Sequence, residues 1–91
     1  MVKGRFDSGE LQRVSGQFTT KAGELDTLIN QAKSAMTSLE ASWEGPRKTR
    51  TFNEWQNMQK NLLAAVDTLR ATSKFLKDAA TAYEAVEGAS S

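Results

Sequence analysis

Residues 39–52 read LEASWEGPRKTRTF, and this stretch decides the fold. Trp43, Glu44, Gly45 and the chain's one proline, Pro46, come in succession, followed by Arg47, Lys48 and Arg50. Gly45 suits the positive φ that ends one helix or caps the next. Pro46 suits the first position of a new helix, where its missing N–H costs nothing. The sequence on either side is helical in period, so the stretch is read as the turn of a hairpin.

Upstream, helix 1 is predicted over about residues 7–42. Asp7 is its N-cap with Glu10 three residues on, and Phe6 and Leu11 stand at the staple positions. Leu11, Phe18, Leu25, Ala32 and Leu39 then recur every seven residues. Val14, Ala22, Leu28, Ile29, Ala35 and Met36 widen that stripe beyond a strict two-position seam. Gly16 and Gly23 fall inside this helix and weaken it, or mark the close approach of another backbone.

Downstream, helix 2 is predicted over about residues 46–87, with Trp55, Leu62, Leu69, Leu76 and Tyr83 again seven apart. Phe52, Met58, Ala65, Val66, Ala79, Ala80 and Val86 thicken its stripe. At 1.5 Å per residue the helices run about 54 and 60 Å, and the short WEG turn at 43–45 folds them back antiparallel. The tails, 1–5 and 88–91, are expected to fray. Two such broad apolar stripes cannot cover each other fully. The expectation is association with a second hairpin into a four-helix bundle.

Composition excludes much. The 91 residues suit one domain, and twelve basic against eleven acidic residues leave a net charge of +1. That balance points neither to nucleic acid nor to an acidic membrane surface. Without His or Cys the chain lacks the commonest metal ligands, the commonest general base and a thiol nucleophile. No catalytic residue, cofactor or metal is therefore expected. The amino terminus has no apolar h-region of a secretory leader, and no run approaches the ~18 apolar residues that span a bilayer. No uniformly apolar helix favours a membrane-active role.

With these features laid out, the chain resembles the WXG family of small type VII secretion proteins, the ESAT-like or Esx proteins. The resemblance rests on the chain length, the helix–turn–helix pattern and Trp43-Glu44-Gly45 in the sole turn. It also rests on Tyr83 and Glu87, spaced as Y-x-x-x-E near the carboxyl end. It implies an all-α hairpin that pairs antiparallel, as a homodimer or with a paralogous WXG protein, into a four-helix bundle. It further implies a cytoplasmic protein exported folded, without a cleaved leader, by a machine driven by an FtsK/SpoIIIE-type ATPase. Members act as effectors or escorts, and the Y-x-x-x-D/E motif serves as the secretion signal. Residues 1–44 carry five basic and six acidic residues and residues 45–91 seven and five, a balance that leans to a homodimer.

Each motif also has a plain structural reading. Trp43 would plug the loop end of the bundle, and in an antiparallel dimer it and Gly45 would adjoin Tyr83 and Glu87 of the other chain as one composite mark. Tyr83 continues the apolar stripe, so periodicity alone predicts burial. Glu87 opposes the helix dipole, which stability does not explain. The core and dimer stripe is expected at Leu11, Phe18, Leu25, Leu28, Ile29, Met36, Leu39, Phe52, Trp55, Leu62, Val66, Leu69 and Leu76. The rival reading is a cytosolic coiled-coil adaptor or assembly subunit that is never exported.

Overall fold

A computed structural model describes the backbone of residues 7–90 and the side chains of residues 7–86. Helix α1 spans Ser8–Ser42 and helix α2 spans Arg47–Ser90, the two lying side by side as a hairpin of 69 × 23 × 16 Å. The all-α hairpin is the fold its residues predict. Asp7 caps α1, its carboxylate accepting from the Gly9 N–H at 2.9 Å. Glu10 does not reach back to close a capping box; its carboxylate turns to Arg13 one turn on. Phe6 lies outside the described residues, as do tail residues 1–5 and 91. The backbone of 88–90 continues α2, three residues past the expected end at Glu87.

The seam between the helices follows a seven-residue repeat. On α1 the inward positions are Ser8, Leu11, Ser15, Phe18, Ala22, Leu25, Ile29, Ala32 and Met36. On α2 they are Phe52, Trp55, Gln59, Leu62, Val66, Leu69, Ser73, Leu76 and Ala80. Alternate steps of three and four keep one narrow stripe of each helix facing the other, as in a coiled coil. Ala22, Ile29 and Val66 form its closed centre, with Leu25, Leu62 and Leu69 packed against them.

The flanks of this seam differ. In an antiparallel pair, like flanking positions of the two repeats fall on the same side. One side carries Gln12, Thr19, Lys33 and Glu40 from α1 with Gln56, Arg70, Lys77 and Glu84 from α2, and there Gln12 donates to Glu84 across the pair. The other side carries Val14, Leu28 and Ala35 with Met58, Ala65, Ala79 and Val86. Leu28 is 59% exposed, Met58 60% and Val86 64%. The chain exposes 7015 Å², whereas a compact monomer of its 10.0 kDa would expose about 5,200 Å². Apolar surface is left over, and most of it lies on one side.

Towards the open end the seam is made of small and polar residues. Ser15 Oγ donates to the Ser73 carbonyl at 2.8 Å, and Ser73 Oγ to the Ser15 carbonyl at 2.9 Å. The two hydroxyls stand 3.0 Å apart, and Thr19 Oγ1 lies 2.7 Å from Ser73 Oγ. Hydroxyls this short reach the opposite backbone only where the helix axes come close. Both serines are buried, and every polar atom is satisfied, so the cluster avoids the penalty of an orphaned group. The expected consequence is that filling the site harms more than emptying it. In urea unfolding at fixed protein concentration, Ser73→Ala should lose about 1 kcal/mol through one missing hydrogen bond. Ser73→Leu should lose more, about 2–3 kcal/mol, by forcing the helices apart despite its added apolar surface. Equal or greater stability of the leucine variant would show that the approach is loose.

Candidate functional site

The turn is built by four residues with separate tasks. Trp43 ends α1, its N–H still donating to the Leu39 carbonyl at 2.9 Å while its own backbone turns extended. Gly45 takes φ +130°, a conformation that a side chain would strain. Pro46 stands just ahead of α2, where a missing N–H is harmless, and the Lys48 N–H closes back on the Gly45 carbonyl at 3.3 Å. Trp43 is half-buried and packs tilted on Phe52, ring centroids 5.9 Å apart. The indole thus joins the two helices across the bend.

The cationic cluster has a structural account that sequence spacing does not supply. A positive charge in the first turn of α2 opposes that helix's dipole. Lys48 Nζ, however, donates to the Glu40 carbonyl at 3.1 Å, at the open carboxyl end of α1. There a cation is favourable, and it satisfies a carbonyl that no helical N–H reaches. Lys48 does this rather than pair with Glu44 one turn before it. Arg50 pairs with Glu54 at 3.4 Å, both side chains well exposed, so the pair adds little.

The opposite end holds the other candidate residues. Tyr83 continues the α2 stripe by number yet is 45% exposed, because α1 begins at Ser8 and leaves little to cover it. Glu87 lies in α2, and its side chain falls outside those described. Nearby, the Arg13 guanidinium holds the Glu10 carboxyl below the usual carboxylate range, chiefly through their hydrogen bond. Roughly 50 Å of helix separates Tyr83 from the turn. A single hairpin therefore keeps Trp43 and Gly45 at one end and Tyr83 and Glu87 at the other.

The remaining stripe residues divide by burial. Ile29 and Val66 are buried, and Leu11, Phe18, Leu25, Met36, Phe52, Trp55, Leu62, Leu69 and Leu76 are half-buried in the seam. Leu28 and Leu39 are exposed, Leu28 on the apolar flank. Ser15, Ser73 and Gln59 occupy seam positions that counting apolar residues passes over, although the strict steps of three and four from Leu11 and Trp55 would have reached them. Among the described residues no cluster of acidic side chains could hold a metal ion, and no helix is long and apolar enough to cross a membrane.

Comparison with known proteins fits this geometry. Residues 5–88 match the family model WXG100, described as proteins of 100 residues with WXG. A crystal structure of the secreted protein EsxB of Bacillus anthracis, in selenomethionine-labelled form, superposes with a TM-score of 0.84 at 25% identity over 96% of this chain and 99% of that one. The wild-type form of the same secreted protein superposes at 0.81 with 26% identity, over 92% of this chain and 97% of that one. No curated protein matches the sequence.

Substitution at the turn checks its geometry. Gly45→Ala should cost about 1–3 kcal/mol, since alanine is forced into a glycine conformation with no steric neighbour to blame. Glu44→Ala, one residue away and exposed, should stay within about 0.5 kcal/mol. Thermal unfolding of both at one concentration reads the difference, and equal melting would mean the bend does not need its glycine.

Proposed function

The chain belongs to the WXG100 family, and on that premise we propose that it is a substrate or escort of a bacterial type VII secretion system, exported as a folded pair of hairpins. The observation that carries this reading is a WXG turn standing at the single bend of a hairpin whose length matches a secreted protein almost end to end. The function proposed is one of recognition and not of catalysis.

The physical case for pairing is the uncovered apolar flank. Leu28, Met58 and Val86 on one side of a single layer of helices call for a second layer. Members of this family form dimers with themselves or with paralogues, and here the pair is proposed to be antiparallel, forming a four-helix bundle. That arrangement carries Tyr83 and Glu87 of one chain towards Trp43 and Gly45 of the other. The two ends, which one hairpin holds roughly 50 Å apart, become one composite export signal. An FtsK/SpoIIIE-type ATPase would then engage dimers and pass over single chains.

Release from a bacterium carrying the matching secretion system tests this. Tyr83→Ala and Glu87→Ala should each abolish release while circular dichroism and sedimentation mass stay as in the unaltered protein. Normal release of both variants would remove the signal from these residues. Retention of the unaltered protein inside the cell would favour a non-exported assembly subunit instead.

A further inference from the structure

The dimer reading leaves open which chain supplies the second layer and in what register, and the apolar flank answers both. We infer that the partner is a second copy of this chain, with the two-fold axis crossing the flank at Leu28 on α1 and midway between Met58 and Ala65 on α2. This rests on the dimer proposed above and goes beyond it in naming the contact.

A two-fold axis perpendicular to the helices lays each helix antiparallel on its own copy, and it must cross α1 and α2 at one level. Levels are set by the serine cluster, which places Ser15 beside Ser73. Each step towards the turn on α1 is matched by one step back on α2, so Leu28 lies level with about residue 60. On α1 the flank offers one large exposed apolar side chain, Leu28, at 59%, with Lys21 and Ala35 one repeat to either side. Self-complementarity therefore puts Leu28 against itself. On α2 the flank sets long Met58, 60% exposed, one repeat from short Ala65. An axis midway seats each Met58 on Ala65 of the second copy, large on small, twice over. That midpoint falls within about 2–3 Å of the level of Leu28. Two helices thus choose the same level independently.

The rest of the flank agrees. In this register Lys21 faces Ala35 of the second copy and Thr72 faces Thr51, so no like charges meet. The seam is also tapered: Phe52, Trp55 and Met36 fill it near the turn, while Ser15, Ser73 and Ala80 fill it near the open end. Two wedges laid head to tail make a rod of even thickness, whereas laid head to head they would splay. The surplus exposed area, about 1,800 Å² per chain against a compact monomer, makes about 3,600 Å² for a pair, within the obligate-dimer range. Longer α2 then carries its residues from about Ala79 onward past the turn of the second copy.

Cysteine cross-linking decides the register, since the chain has no native cysteine. A disulfide needs Cα atoms about 4.4–6.8 Å apart, which only a residue at the axis meets with its own copy. Under mild oxidation, Leu28→Cys should convert to a covalent dimer. Leu63→Cys and Phe75→Cys, also exposed apolar sites but off the axis, should not. A chain carrying both Met58→Cys and Ala65→Cys should also link between copies, and it covers the case in which the leucine variant folds poorly. Sedimentation of the unaltered protein is read separately. A monomer overturns the dimer itself. A dimer in which neither Leu28→Cys nor the paired variant links, or in which Leu63→Cys or Phe75→Cys links instead, overturns the register alone.

Discussion

Two helices lying side by side have a seam but no interior. Each inward side chain meets one opposing helix and is open to solvent on both flanks unless its neighbours are large. In a layer 16 Å thick, only Ala22, Ile29, Val66 and Ala80 among the apolar residues are buried. Every larger seam residue stays partly wet, Phe18, Trp55 and Leu62 included. Burial of apolar surface is the main favourable term in folding, so a layer of this kind is stabilised only in part by its own contacts. The asymmetry of the two flanks is the consequence. One is dressed in Gln, Lys, Arg and Glu, and the other is left in Leu, Met, Ala and Val.

The seam is not uniform along its length, and its ends differ in kind. At the bend, aromatic side chains hold the helices together: Trp43 tilts on Phe52, and Lys48 reaches across to the last carbonyls of α1. At the open end, hydroxyl groups and alanines bring the axes close, with Ser15 and Ser73 exchanging hydrogen bonds with each other's backbone. A polar pair buried at a seam position contributes less to stability than an apolar one, but it penalises every other register, since a slip would leave the hydroxyls unpaired. The aromatic bend and the hydroxyl clasp therefore fix the hairpin from both ends, and the apolar centre between them needs only to fill space.

The helices and the turn were legible because their signals are large and local. Gly45 before Pro46 names a bend, and Leu, Phe and Trp at seven-residue spacing name a helical face. The width of that face was harder to read. Counting apolar residues merged the true seam with one flank, so Leu28 and Met58, both exposed, were grouped with Ile29 and Val66, both buried. Ser15, Ser73 and Gln59 were missed for the mirror reason: a polar residue in a seam becomes visible only once the opposite helix supplies its partner. Lys48 belongs to the same class, because its acceptor is eight residues away and exists only after the chain has turned. Tyr83 keeps the spacing of a seam residue and still lies half in water, since spacing along one helix does not say where the other begins. In each case the absent information was the position of a second helix.

The same geometry bears on how a signal at the two ends can be separated from the fold. Trp43, Gly45 and Lys48 each hold the bend together, so altering any of them changes structure and surface at once. Tyr83 stands beyond the closed centre, on a stretch of α2 that α1 barely accompanies, and losing its ring removes little seam packing. If recognition requires both ends, the turn supplies a rigid half whose shape is set by folding, and the carboxyl end supplies a half that is free to vary in sequence. A pair of chains is then the smallest unit that presents both halves together. A reader of that composite surface tests, in a single contact, that each chain has turned correctly and that it has found its second layer.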